Sequence, residues 1–178
     1  MLPIKKSLFH PRADEQQRAE FKEIISKYEQ QKRTIVYTDE SGFAFNMPRT
    51  HGYSPKGARC YGEKDWHARG RINVIGASVN NTLLTVCLFE LNINSDVFFA
   101  WLTKDLLPKV PPNSVIVMDN ATFHKRKDMI QAIKSQGHTP EYLPPYSPDL
   151  NPIEHKWAQA KAIRKKCKCS VDDVFNHL

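Results

Sequence analysis

The sequence lacks any apolar run long enough to cross a membrane, and it lacks a recognisable secretory signal. A membrane-spanning helix needs about 20 mostly apolar residues, and no stretch of the 178-residue chain approaches that length. Residues 1–6 carry two lysines with no apolar segment or small-residue cleavage site behind them. We therefore expect a water-soluble protein that stays in the cytoplasm and has no membrane partner.

Cysteine is also sparse, and its spacing excludes the common cysteine-based frameworks. The four cysteines, Cys60, Cys87, Cys167 and Cys169, show neither C-x-x-C pairs nor a dense disulfide pattern. Cys167 and Cys169 lie in a lysine-rich run in which no further Cys or His completes a zinc site. Reduced thiols are expected, and the chemistry must come from other residues.

Positive charge is in excess. Lys and Arg number 26 against 19 Asp and Glu, which gives a formal net charge of +7. Such a balance favours a polyanionic partner, because Lys and Arg release counterions when they neutralise phosphates. A solvated basic surface without a nucleic-acid partner fits the charge equally well. With 40% apolar residues and no internal repeat, the chain is long enough for one compact domain.

Hydrophobic periodicity predicts a mixed sheet covered by helices. Helical spacing covers about 14–32, 95–107, 126–136 and 152–166, whereas strand patterns cover 34–39, 72–79, 83–89, 115–118 and 141–143. The segment 43–71 fits neither period and predicts a long connection. This order of elements is that of the ribonuclease-H-like α/β fold.

Three acidic residues stand at the edges of these predicted elements. Asp39 ends the first strand pattern, where alternation directs its side chain away from that of Glu40. Asp119 follows the buried strand 115–118, at the end of a sheet where ligand sites are common. Glu154 opens the last helix. There it fits a capping box with Asn151 as N-cap, so that a purely structural role is a full alternative.

Together these acids predict a site for hard cations. Oxygen ligands favour Mg²⁺ or Mn²⁺ over zinc. Two such ions can activate a water or 3′-hydroxyl on one side of a phosphorus and stabilise the leaving oxygen on the other.

Several stretches resemble the catalytic domains of mariner-like transposases, especially their bacterial insertion-sequence relatives. They are YTDES at 37–41, NVIGA at 73–77, DNA at 119–121 with His124, and LPPYSPDLNPIE at 143–154, with 34 residues between Asp119 and Glu154. The resemblance implies a ribonuclease-H-like fold for 34–178, preceded by a linker helix within 1–33. It assigns Asp39, Asp119 and Glu154 as catalytic metal ligands for two Mg²⁺ or Mn²⁺ ions.

The same resemblance implies further residues and partners. Asn120 and His124 would assist near the site, although His124 also fits a surface histidine at a helix start. Contacts with DNA are expected along the long connection and the last helix, at Arg49, Tyr53, Lys56, Arg69, Arg71, Lys161 and Lys165; each also fits a solvated residue. The implied partners are transposon ends and target DNA, bound by two subunits on the nucleoid. The family's helix-turn-helix modules would be removed, separately encoded or lost.

Three functions remain open from the sequence. The first is a DNA endonuclease that also joins 3′-hydroxyl ends to target DNA. The second is a related nuclease that cuts without joining. The third is an inactive nucleic-acid-binding remnant, against which the presence of all three acids argues.

Overall fold

The computed structural model describes residues 11–45, 56 and 70–176. Within these ranges, besides short 3₁₀ and π-helical turns, the chain forms five α-helices and five strands. In chain order they are α1 (Glu15–Gln30), β1 (Ile35–Ala44), β2 (Arg71–Val79), β3 (Thr82–Phe89), α2 (Ser95–Trp101), β4 (Val115–Met118), α3 (Lys127–Ser135), β5 (Thr139–Tyr142), α4 (Ile153–Cys167) and α5 (Val171–Phe175).

One five-stranded sheet organises the molecule, with strand order β3-β2-β1-β4-β5. β2 runs antiparallel to both β1 and β3, whereas β4 lies parallel to both β1 and β5. β4 is buried along its whole length, as expected for a strand flanked on both faces by helices. The predicted mixed sheet flanked by helices is confirmed.

Helices cover both faces of the sheet. On one face α2 and α3 bury a core that includes Val36, Ile75 and Phe98. On the other face α4 and α5 pack over Phe43 and Val74. α1 packs beside them through an apolar cluster of Phe21, Ile25, Val115, Val117 and Leu143. The sheet therefore lies between two helical layers, and α1 belongs to the same layer as α4.

Several element boundaries differ from the predicted ones. β1 continues to Ala44, because its second half pairs with β2 as far as Arg71; Asp39 therefore lies inside the strand and does not end it. The predicted helix 95–107 changes at Leu102 to a π-helical turn that ends at Leu106. α5 had not been predicted, although Ser170 and Asp173 form a capping box at its start.

Two features bring the candidate residues to one edge. The parallel pairing of β1 with β4 stops at Tyr37 and Val117, so Asp39 and Asp119 each lie two residues beyond the last paired position. The first turn of α4 begins near these two aspartates. In the described ranges no helix combines the length and apolar character needed to cross a membrane.

Candidate active site

A cavity of about 520 Å³ opens where β1, β4 and the start of α4 meet, and all three predicted acids line it. Asp39 comes from β1, Asp119 from the residue after β4, and Glu154 from the first turn of α4. The rest of the wall consists of Asn120, Ala121, Lys125, Asn151 and the loop 143–148. Folding thus brings together carboxylates that are far apart in the sequence.

Asp39 is held by an indole from α4. It lies opposite Gly76 of β2, and Trp157 Nε1 donates a hydrogen bond to Asp39 Oδ2 at 3.0 Å. A Cβ at Gly76 would lie 2.5 Å from Trp157 Cη2, so only glycine lets the ring sit this close. Burial, followed by the negative charges of Glu154 and Glu40, raises the pKa of Asp39 to about 8.

Asp119 is held by a buried histidine. His124 Nδ1 lies 2.5 Å from Asp119 Oδ1, which also accepts the Ala121 backbone N–H at 2.9 Å. His124 Nε2 lies 3.1 Å from Glu40 Oε1, so the imidazole bridges two carboxylates. Burial opposes protonation of this ring, but hydrogen bonds and charge from Asp119 and Glu40 outweigh it and raise the pKa of His124 to about 9.

The same contacts act on the carboxylate. Burial alone would raise the pKa of Asp119, but the hydrogen bonds from His124 and Ala121 hold it below its ordinary value. The alternative of a surface histidine is wrong, because His124 is only 1% exposed and packs against Phe98 and Phe123. Successive side chains of β1 point to opposite faces of the sheet, so that Glu40 faces His124 while Asp39 faces Trp157. This alternation explains how the His124 ring can bridge Asp119 and Glu40.

Glu154 does not cap its own helix. Asn151 does not act as N-cap; that position falls to Pro152, and no side chain caps the start of α4. The Asn151 side chain is buried and donates from Nδ2 to the Thr38 carbonyl at 3.3 Å. The capping-box interpretation is therefore wrong, and the exposed Glu154 carboxylate stands at the cavity. Asn151 instead ties the start of α4 to the residue that precedes Asp39.

Two further polar residues line the cavity. Asn120, predicted as an accessory residue, has a buried Oδ1 with no hydrogen-bond partner among the described residues. Lys125 was not predicted. It is the only cationic side chain among the described residues of the cavity wall, and its ammonium lies 5.7 Å from the centre of the Tyr142 ring. Its position in the turn shortly after Asp119 is the one sequence feature that could have indicated its place at the site.

The residues expected to contact DNA lie away from this cavity or outside the described ranges. Arg71 is exposed at the start of β2, and Lys56 and Lys165 are exposed as well. Lys161 is partly buried, with its ammonium 5.4 Å from the Phe43 ring centre. Arg49, Tyr53 and Arg69 lie outside the described residues. Contact with DNA stays a prediction for all of them.

The donor chemistry suits a hard divalent cation. Carboxylate and amide oxygens dominate the polar wall. The raised pKa of Asp39 reflects burial first and then the negative charges of Glu154 and Glu40, which a cation would neutralise. In the described part of the chain, however, no three His, Cys, Asp or Glu side chains converge tightly enough to form a ready-made cage. The residues fit a metal, with side-chain movement needed to close around it.

Comparison with solved structures identifies the fold. A Mos1 transposase paired-end complex with left transposon end superposes with a TM-score of 0.72 at 18% identity, covering 92% of this chain and 53% of that one. The Mos1 mariner paired-end complex with Mn gives a TM-score of 0.66 at 17% identity, covering 89% and 52%. The isolated Mos1 catalytic domain gives 0.56 at 15% identity, covering 89% and 76%.

These likenesses confirm the predicted ribonuclease-H-like fold as that of the Mos1 catalytic domain. The chain spans about half the length of the Mos1 chains in the paired-end complexes. A search of curated proteins finds no match.

A family model described as "DDE superfamily endonuclease" matches residues 34–174. This range contains Asp39, Asp119 and Glu154, and it covers most of the chain. The chain therefore belongs to the DDE superfamily of endonucleases, with the catalytic-domain fold of a mariner-like transposase.

Proposed function

We propose that the cavity is the active site of a transposase catalytic domain that cuts DNA at element ends and joins the freed 3′-hydroxyl to target DNA. One observation carries the proposal: carboxylates from three separate elements, Asp39, Asp119 and Glu154, line a single cavity. Like charges at one site repel unless a cation compensates them. Membership of an endonuclease family and the fold of Mos1 support the same function.

In this proposal Asp39, Asp119 and Glu154 hold two Mg²⁺ or Mn²⁺ ions. When bound, such ions lower the pKa of an attacking water or hydroxyl and stabilise the leaving oxygen at the phosphorus. Mos1 complexes with Mn and with Mg have been solved, which supports this choice of metal. The cavity supplies oxygen ligands of the kind that these cations prefer.

The surrounding residues orient the ligands. Trp157 fixes one oxygen of Asp39, while His124 and the Ala121 N–H fix one oxygen of Asp119. Preorientation of this kind reduces the side-chain freedom lost when a ligand binds. Lys125 is placed to contact a DNA phosphate at the cavity mouth, where an ammonium can offset the charge of the backbone.

The partners follow from the same proposal. Solved Mos1 structures include a paired-end complex with left transposon end and a strand transfer complex, and we infer that two subunits of this protein act together on two DNA ends. Arg49, Lys56, Arg69, Arg71, Lys161 and Lys165 are proposed to contact the DNA backbone. Recognition of specific ends is assigned to a separate helix-turn-helix region. We propose that the protein acts on DNA in the cytoplasm, associated with the nucleoid.

The test replaces each acid with its isosteric amide: Asp39→Asn, Asp119→Asn and Glu154→Gln. Each variant is expected to lose Mg²⁺-dependent nicking of DNA and to bind Mn²⁺ at least 10-fold more weakly by calorimetry. Asp128→Asn is the matched control, because Asp128 pairs with Arg126 on the surface and lies outside the cavity. Nicking that survives in all three folded variants would refute the proposal.

Joining is tested separately with an oligonucleotide that carries a pre-cut 3′-hydroxyl end and a target plasmid. The transposase proposal predicts covalent joined products in Mn²⁺. Nicking without joined products would instead favour the second function, a nuclease that cuts only. Absence of both Mn²⁺ binding and nicking in folded wild-type protein would favour the third function, an inactive binding remnant.

A further inference from the structure

A buried arginine of α1 binds the loop that precedes Glu154. Arg18 is 2% exposed, and its guanidinium makes two parallel hydrogen bonds to Asp149, from Nη1 to Oδ1 at 2.9 Å and from Nη2 to Oδ2 at 2.7 Å. Two-point pairing between guanidinium and carboxylate fixes direction as well as distance. The contact therefore determines both the position and the orientation of the Asp149 side chain relative to α1.

The loop is held at three successive residues. Asp149 is bound by Arg18, Leu150 packs against the cluster that contains Phe21 and Ile25 of α1, and Asn151 donates to the Thr38 carbonyl of β1. α4 begins two residues later, with Glu154 in its first turn. α4 starts without a side-chain cap, so these three contacts help to fix the place of its first turn, together with the packing of Ile153 and Trp157 on the sheet.

The Asp149 side chain does not line the acidic cavity. Pro148, Asn151 and Glu154 line the acidic cavity, whereas Asp149 is absent from its wall and pairs with α1 instead. An effect of Arg18 or Asp149 on the reaction is therefore expected to pass through the position of the loop.

We propose that Arg18 and Asp149 are positioning residues, which hold Glu154 at the right distance from Asp39 and in the right orientation. Through this pair α1 contributes to the geometry of the active site. The inference rests on the proposed function, because it concerns the third carboxylate of that site. It goes beyond that function by assigning a role to a helix that precedes the residues matched by the family model.

The test compares two α1 contacts, only one of which reaches the Glu154 loop. Asp149→Asn removes the charge of the pair and keeps its shape. Tyr28→Phe is the matched control, because the Tyr28 hydroxyl donates to Glu141 Oε1 at 2.7 Å and so ties α1 to β5. Each full-length variant is assayed well below its own unfolding temperature, with Mn²⁺ affinity by calorimetry and with kcat and KM for nicking.

A positioning role predicts that Asp149→Asn weakens Mn²⁺ binding and lowers kcat about 10-fold, with KM for DNA unchanged. Tyr28→Phe should retain wild-type values of all three. Arg18→Lys, which keeps the charge with fewer contacts, should lie between wild type and Asp149→Asn. It also serves as the second variant if Asp149→Asn does not fold.

The inference is overturned if folded Asp149→Asn binds Mn²⁺ and nicks DNA as wild type does, or if Tyr28→Phe loses as much as Asp149→Asn. Glu154→Gln, assayed in parallel, distinguishes failure of the positioning role from failure of the proposed function. Loss in Glu154→Gln with no loss in Asp149→Asn leaves the proposed function standing and rejects the positioning role. Retention of Mn²⁺ binding and nicking in Glu154→Gln rejects the positioning role and removes Glu154 from the proposed metal ligands.

Discussion

Gly76→Ala should damage the candidate site through Trp157, although Gly76 itself does not line the cavity. The added Cβ would stand 2.5 Å from Trp157 Cη2 and 3.2 Å from the Thr85 carbonyl oxygen. Carbon atoms pack at about 3.5–4.0 Å, so the indole must move by about 1 Å. Trp157 is 1% exposed and has little room to move. Overpacking of this kind costs about 1–3 kcal/mol.

The indole can shift only by disturbing its hydrogen bond to Asp39. We therefore expect Gly76→Ala to lower the free energy of unfolding by about 1–3 kcal/mol and also to weaken Mn²⁺ binding. Urea unfolding followed by far-ultraviolet circular dichroism measures the first effect, and calorimetry measures the second. Circular dichroism is preferred because the fluorescence of Trp157 would itself change.

A double-mutant cycle with Trp157→Phe tests the stated cause. A phenyl ring lacks the outer indole atoms that meet the new Cβ, so Gly76→Ala should cost less in that background. A residual cost should remain because of the Thr85 carbonyl. The expected coupling energy is at least about 0.5 kcal/mol. Additive effects, or wild-type stability and Mn²⁺ affinity in Gly76→Ala alone, would refute the reasoning.

Two further predictions concern charge. In EDTA, Asp39→Asn should gain stability relative to wild type as the pH rises from about 4 to 8, by up to about 1.4 kcal/mol per pH unit. The reason is that the folded wild type keeps a proton on Asp39, whose pKa is raised from 3.8 to about 8, whereas the unfolded chain releases that proton near pH 4. Wild type therefore loses stability progressively between these two values and no further above about pH 8; a difference that stays flat from pH 5 to 9 in urea unfolding would contradict it. Lys165→Ala should weaken DNA binding and reduce the slope of log K against log salt by about 1, as measured by fluorescence anisotropy. Lys104→Ala is the control, because Lys104 is exposed and lies in the π-helical turn on the opposite side of the sheet. It should leave the DNA affinity and the salt slope unchanged.

Much of the fold could be predicted from periodicity because the central elements are strongly patterned. The apolar run 115–118 and the helical spacing after Pro152 locate β4 and α4 to within a residue or two. The second half of β1 could not be found in this way. Its residues, Glu40 to Ala44, include serine and glycine, and they form a strand because β2 supplies pairing partners.

The site was harder to predict where tertiary contacts override local preference. Asn151 has an ideal sequence context for an N-cap, yet a hydrogen bond to Thr38 takes its side chain elsewhere. His124 has the polarity of a surface residue, and only the fold shows that it is buried between two carboxylates. The roles of Trp157 and Arg18 depend on partners more than 100 residues away in the chain, which spacing alone cannot reveal.

The pairing of β1 with two very different neighbours has a consequence for biogenesis. β2 and β3 follow β1 directly in the chain and can pair with it as soon as all three have been synthesised, whereas β4 and α4 are made much later. Contacts between residues distant in sequence form slowly, because the chain loses the entropy of loop closure before the contact contributes any favourable free energy. A nascent chain that has formed only the β1–β3 meander carries Asp39 without Asp119 or Glu154. On the proposed function, a chain folded only this far would lack two of its three metal ligands and could not cut DNA until the late strand and helix have docked.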